Sequence, residues 1–224
     1  MQRTKAKLHL LWDMDGTLVN SEPEILATIE KSLASVGVMM SAAKAPLRIG
    51  PPVKTIIRNT FPIDILSEEL LNEAVKAFRR IYDSSDFENT PPFDGIDDLI
   101  NDKRFVHHII TNKPDLATKR ILEKKGWDER VVDVLTPHTL EMETGHPMTK
   151  QELFMYCRAA YPEVPMVGVG DMALDAESAH AAGINAIGVL WGTGTREELE
   201  EAGCNYIVEN SMQLKKLLIN LSNE

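Results

Sequence analysis

The chain has 224 residues, 43% of them apolar and 26% charged, which is the composition of a globular protein with one large core or a core carrying a smaller insert. Its 24 Lys plus Arg stand against 34 Asp plus Glu, a formal charge of -10 that argues against a nucleic-acid surface and leaves any small anion to be held by a local cation. Cys157 and Cys204 lie far apart with no His or Cys at ligand spacing beside them, so neither a disulfide scaffold nor a zinc site is expected, and both read as reduced structural thiols.

The basic start, Met1 to Lys7, leads into Leu8 to Trp12, an apolar run broken by His9 and too short for a signal peptide. No run approaches the roughly 18 apolar residues of a membrane span, so a cytoplasmic protein without a membrane partner is expected. LHLLW reads as a buried strand that stops at DMDGT. From Glu22 to Val36, Ile25, Leu26, Ile29, Leu33 and Val36 recur at helical spacing, with Ser21 as a candidate N-cap and Gly37 at the end. A short helical pattern among the prolines of 45–62 and a second helix over 66–82 follow, and SSDFENTPP reads as a linker.

After residue 90 strand and helix alternate. Strands are predicted at 105–110, 131–135, 165–170, 185–190 and 206–208, with helices at 94–103, 114–125, 150–160, 173–182, 195–201 and 211–221. This alternation predicts an α/β fold: a Rossmann-like parallel sheet with helices on both faces and an inserted α-helical domain. Residues 1–18 and 90–224 would form the core and 19–89 the insert.

Ligands of open parallel sheets bind at the carboxyl ends of the strands, so the residues found there carry the chemistry. The first strand ends in Asp13, Asp15, Gly16 and Thr17; the strand at 105–110 ends in Thr111 and Asn112; the strand at 165–170 ends in Asp171, with Asp175 one helical turn on. Side chains two apart on an extended chain share a direction, so Asp13 and Asp15 repel unless a cation lies close. Oxygen donors on strand tips suit a hard ion, and Mg2+ is the expected cofactor. Taken alone, Thr111 reads equally as a helix N-cap ahead of Pro114, and Asp175 as a solvent-facing helix residue. Met14 and Trp12 read as core.

LHLLWDMDGTLVNSEPE, HIITNKP and VGVGDMALDAESAHAAGI, in that order, resemble three signature motifs of the haloacid dehalogenase-like hydrolases. The tail VLWGTGTREELEEAGCNYIVENSMQL and the helical insert resemble that family's phosphoglycolate phosphatase-like branch, whose insert is a cap. The resemblance implies that Asp13 is the nucleophile that becomes an aspartyl-phosphate and that Asp15 is general acid and base, its main-chain carbonyl helping to hold the metal. It implies that Thr111 and the amides near Asn112 and Gly16 bind the phosphoryl oxygens, that Asp171 ligates magnesium, and that Asp175 supports the metal.

The family places a lysine, usually followed by proline, between the second and third motifs. Here the stretch reads ETGHPMTKQEL, with His146-Pro147 at that place and Lys150 four residues later. Both are candidate catalytic cations: a histidine is in general a weaker cation at neutral pH than a lysine, whereas Lys150 opens a predicted helix and would have to fold back to the strand edge. In the insert, Arg48 of RIGPPVKTIIR resembles a position from which cap enzymes reach the substrate. The implied activity is magnesium-dependent hydrolysis of a small phosphorylated metabolite, such as phosphoglycolate or a sugar phosphate. The alternatives are a phosphomutase of the same superfamily and, because the motif lysine is replaced, a weakly active phosphate-binding protein. The sequence carries no signal for oligomeric state.

Overall fold

A computed structural model describes residues 7–47 and 49–223. The chain divides into two compact units, one made of 1–20 with 92–224 and the other of 21–91.

The larger unit is built on a sheet of six parallel strands: β1 (Leu8–Trp12), β2 (Phe105–Ile110), β3 (Val131–Leu135), β4 (Met166–Gly170), β5 (Asn185–Val189) and β6 (Tyr206–Val208). Their spatial order is β3-β2-β1-β4-β5-β6. The chain therefore walks outward from β1 to β3, returns to β4 and walks out the other way. The gap between β1 and β4 is the switch point at which such sheets open a crevice.

The helices of the chain are α1 (Glu22–Ala34), α2 (Val53–Thr60), α3 (Glu68–Asp83), α4 (Ile96–Ile100), α5 (Asp115–Lys125), α6 (Glu141–Thr144), α7 (Lys150–Ala160), α8 (Ala173–Ala181), α9 (Arg196–Glu201) and α10 (Ser211–Asn223). The usual right hand of parallel crossovers puts α4 and α5 on one face of the sheet and α7, α8 and α9 on the other. On the latter face Leu11, Ile110 and Leu135 of the three neighbouring strands meet Leu153, Phe154 and Cys157 of α7 and Ala176 and Ala179 of α8 in one buried cluster. β1 alternates accordingly: His9, Leu11 and Asp13 face α7, while Leu10 and Trp12 face the opposite side. Met14 and Trp12 are fully buried, in keeping with their reading as core.

The smaller unit is helical and contains α1, α2 and α3. Along α3 the buried residues are Leu71, Ala74, Ala77, Phe78 and Tyr82, a helical stripe, and the Ser67 hydroxyl caps the helix by accepting from the Leu70 N–H. The 94–103 helix expected from sequence is shorter in the structure, because Gly95 in the left-handed region sets its start and Asn101 its end. Among the described residues no helix is long and apolar enough to cross a membrane.

Gly168 marks where the α7 and α8 face is tightest: a Cβ there would lie 2.9 Å from Ala179 Cβ and 3.0 Å from Phe154 Cε1. Gly168→Val should therefore destabilise the protein by about 1–3 kcal/mol, read as a lower urea midpoint with an unchanged slope.

Candidate active site

The first strand delivers its carboxylates through a tight turn. The Met14 carbonyl accepts from the N–H groups of Thr17 (3.3 Å), Leu18 (2.9 Å) and Val19 (3.1 Å), and the Gly16 N–H donates to the Val19 carbonyl at 3.0 Å. Gly16 has φ 82°, and a side chain there would also collide with the Asp171 carboxylate. The backbone of the turn is thus brought directly against the carboxylate that ends β4.

Asp171 is fully buried and held on both oxygens. Oδ1 accepts from the Thr17 hydroxyl at 3.0 Å, and Oδ2 accepts from the Thr193 N–H at 2.8 Å and the Thr193 hydroxyl at 3.0 Å. The loop after β5 that supplies Thr193 is anchored by the Trp191 indole N–H, which donates to the Thr17 carbonyl at 3.0 Å. Gly192 and Gly194 approach Asp171 so closely that neither place has room for a Cβ.

Asp13 and Asp175 meet on one cation. Lys150 Nζ lies 2.7 Å from Asp13 Oδ1 and 2.5 Å from Asp175 Oδ1, and the lysine is only 5% exposed. Lys150 is the first residue of α7, behind the Thr149–Glu152 capping box. A cation in the first turn opposes the helix dipole, so this position is unfavourable unless carboxylates offset it. Because side chains tilt toward a helix's N-terminus, residue 150 is aimed back at the strand ends. Burial works against the Lys150 charge, but Asp13 and Asp175 hold its pKa above the ordinary lysine value.

The carboxylates remain in excess. Burial pushes Asp13 up to about 6 in spite of the opposing pull of Lys150, with Asp175 and Asp15 adding to the rise. Asp171 is raised by burial and then by the charge of Asp13, and Asp175 is raised chiefly by burial. Donor oxygens of Asp13, Asp171 and Asp175 all lie within 4.8 Å of one another. An all-oxygen, charge-rich set of this kind fits a hard divalent cation.

Thr111, at the end of β2, is buried and accepts the Lys113 N–H on its hydroxyl at 3.2 Å. It does not cap α5, whose N-cap position is Pro114. Asn112 is exposed. Asp175 is buried, not solvent-facing; its Oδ2 accepts the Met172 N–H at 3.0 Å, and Gly170 leaves room for the carboxyl group.

His146 is not brought to this site. It is exposed on the loop between α6 and α7, its Nδ1 is 3.0 Å from the Pro147 carbonyl, and the cation beside Asp13 is Lys150. The His146 expectation is therefore corrected: His146 stands in the loop four residues before Lys150, and it is the first residue of α7 whose side chain reaches Asp13. Arg48 lies outside the described residues.

Lys113, not expected from the sequence, is buried with Nζ 2.8 and 3.0 Å from the two carboxylate oxygens of Asp15. Its signal was a charged residue between a strand end and Pro114. Thr193 was also missed, although the glycine-rich WGTGT after β5 marks a loop that must pack closely.

A sequence model of the haloacid dehalogenase-like hydrolases matches residues 10–189. The chain belongs to this family. A phosphoglycolate phosphatase of Xylella fastidiosa is 30% identical over 197 residues, covering 84% of this chain and 82% of the relative. A putative phosphatase from Clostridium difficile superposes with TM-score 0.78 at 25% identity, over 96% of this chain and 100% of that one. A predicted phosphatase from Clostridium acetobutylicum gives TM-score 0.76 at 26% identity, over 96% and 99%.

The charge excess has a measurable sign. Asp13 titrates higher folded than its ordinary 3.8, so between about 4 and 6 the folded state holds a proton that the unfolded state has lost. Stability contributed at this position falls as pH rises through that window and stays low above it. In chelator, Asp13→Asn should melt above wild type at pH 7.5, and the gap should close as pH falls toward 4; thermal unfolding at both pH values measures it. An unchanged gap would mean that the Asp13 charge is fully compensated by Lys150.

Proposed function

We propose that this hydrolase is a magnesium-dependent phosphomonoesterase acting on a small phosphorylated metabolite through an aspartyl-phosphate at Asp13. The observation that carries the reading is the 2.7 Å pair between Lys150 and Asp13, a buried nucleophile with its own fixed cation. Asp13 attacks phosphorus while Asp15 gives a proton to the departing alcohol oxygen. Asp15 then takes a proton from the water that attacks the phosphoryl group, and the bond to Asp13 breaks to release phosphate.

Lys150 faces the charge that builds up as the nucleophile and the phosphoryl oxygens approach, while Asp175 fixes its ammonium from the other side. Thr111 and the amides around Gly16 and Asn112 receive the phosphoryl oxygens. Asp13, Asp171 and the Asp15 main-chain carbonyl would hold magnesium, with Asp175 supporting, and the ion when bound screens the repulsion between nucleophile and phosphate. Lys113 holds the Asp15 carboxylate between its two roles.

Phosphoglycolate is the first candidate substrate, supported by the name of the Xylella fastidiosa relative, with sugar phosphates next. The insert would act as a cap that excludes water and reads the leaving group. The alternative of a catalytically weak phosphate-binding or regulatory protein starts from the replaced motif lysine, and Lys150 beside Asp13 favours the hydrolase over it.

Hydrolysis of an aryl phosphate with Mg2+, absent in Asp13→Asn and abolished by chelator, is the direct test. Equal rates in wild type and Asp13→Asn across a metabolite panel would end this reading. Lys150→Met should lower kcat by about 10²–10³-fold at pH 7.5, whereas His146→Ala should stay near wild type. Asp15→Asn should lose about 10²–10⁴-fold on an alkyl phosphate, and less on an aryl phosphate whose leaving group departs without a proton. Steady-state kinetics on the two ester classes separates these effects.

A further inference from the structure

A second polar cluster lies on the α7 face of the sheet, below the apolar layer of Leu11, Ile110 and Leu135. His9 is four residues before Asp13 on the same face of β1, about 13 Å along the strand at 3.3 Å per residue. His9 Nδ1 is 2.8 Å from His108 Nε2, His108 Nδ1 is 2.8 Å from Asp133 Oδ2, and the Tyr161 hydroxyl donates to Asp133 Oδ2 at 3.0 Å. Cys157 of α7 completes the group: one donor atom each from His108, Asp133 and Cys157 lie within 4.8 Å of one another.

The arrangement depends on an irregularity of the sheet. The β2–β3 register shifts between His107, which pairs with Val131, and His108, which pairs with Asp133. Val132 is the extra residue, and it is exposed. Without the shift Asp133 would project from the other face; the bulge turns it toward His108. Stacking of His9 on His108 at 5.0 Å, with the Tyr161 ring 5.3 and 5.1 Å from the two imidazoles, fixes the ring positions.

We propose that His108, Asp133 and Cys157 form a binding site for a zinc-class divalent cation, with water in the fourth position. Imidazole, carboxylate and thiolate together suit zinc or cobalt and not magnesium, which takes oxygen donors. The surroundings match such a site. Beside a charged Asp133, His108 Nδ1 carries the proton and Nε2 accepts from His9. On binding, the His108 proton moves to Nε2 and is donated to His9 Nδ1, whose own proton moves to Nε2 of its ring. His9 thereby becomes the outer hydrogen-bond partner that orients a ligating imidazole.

Both imidazoles are neutral near pH 7, since burial lowers His9 to about 4 and also depresses His108. The Cys157 thiol binds as thiolate and releases one proton to solvent as the metal enters. Asp133, with a third of its side chain exposed, is the side of entry. The bound ion would tie β2 and β3 to α7, the helix that begins at Lys150.

The test is titration of metal-free protein with Co2+, read in the thiolate-to-cobalt charge-transfer band, which an all-oxygen site at Asp13 cannot produce. One equivalent should raise the band, Zn2+ should displace it, and excess Mg2+ should not. Cys157→Ser should lose the band and Cys204→Ser should keep it. Asp133→Asn and His9→Gln should keep the fold and weaken binding about 10- to 100-fold. No band in the wild type, a band that survives Cys157→Ser, or unchanged affinity in Asp133→Asn overturns the assignment. None of these readouts involves phosphate hydrolysis, so the site stands or falls apart from the proposed activity.

Discussion

Asp13, Asp15, Asp171 and Asp175 crowd the carboxyl end of the sheet with Lys113 and Lys150 between them, and the arrangement of the larger unit's loops follows from keeping that charge tolerable. Removing a carboxylate from water costs several kcal/mol, and attraction to a partner recovers it only when the remaining lone pairs are hydrogen-bonded. Lys150 serves two of these groups at once. Asp171 is held differently, by two hydroxyls and an amide from loops at opposite ends of the chain. Burial still wins over these partners, as the raised pKa values of Asp13, Asp171 and Asp175 show, and that residual charge makes the place receptive to a divalent cation.

Space is arranged for the same purpose. Gly16, Gly192 and Gly194 surround Asp171, and Gly170 makes room for Asp175. Backbone dipoles can then stand where side chains would otherwise separate them from the carboxylates. A site meant to hold a phosphate needs amides within hydrogen-bond reach, and missing Cβ atoms are the simplest way to bring them there.

The sheet was legible in the sequence because its strands are short apolar runs that stop abruptly, and LHLLW, FVHHII and VVDVL are strands with the bounds expected. The carboxylates at the ends of β1 and β4 were legible for the same reason. Lys150 was not separable from His146: the start of α7 was legible, but whether its first side chain folds back to the strand ends depends on packing that periodicity does not describe. Lys113 was hidden because its use depends on the turn between Thr111 and Pro114, which no periodicity describes. The grouping of His108, Asp133 and Cys157 was hidden more deeply. Spacing along the chain counted against a metal there, and only a one-residue shift in β3 puts the aspartate on the right face.

The Thr17–Asp171 hydrogen bond joins residues 154 apart, and the Trp191–Thr17 bond joins residues 174 apart. During synthesis, therefore, Asp13 and its turn emerge long before the parts that neutralise and enclose them. At ribosomal speeds of about 5–20 residues per second, the interval is of the order of ten to thirty seconds. Through that time β1 is an apolar strand ending in mutually repelling acids, a poor seed for premature pairing. Closure of the site around Asp13 thus waits until β4 and the loop after β5 are available.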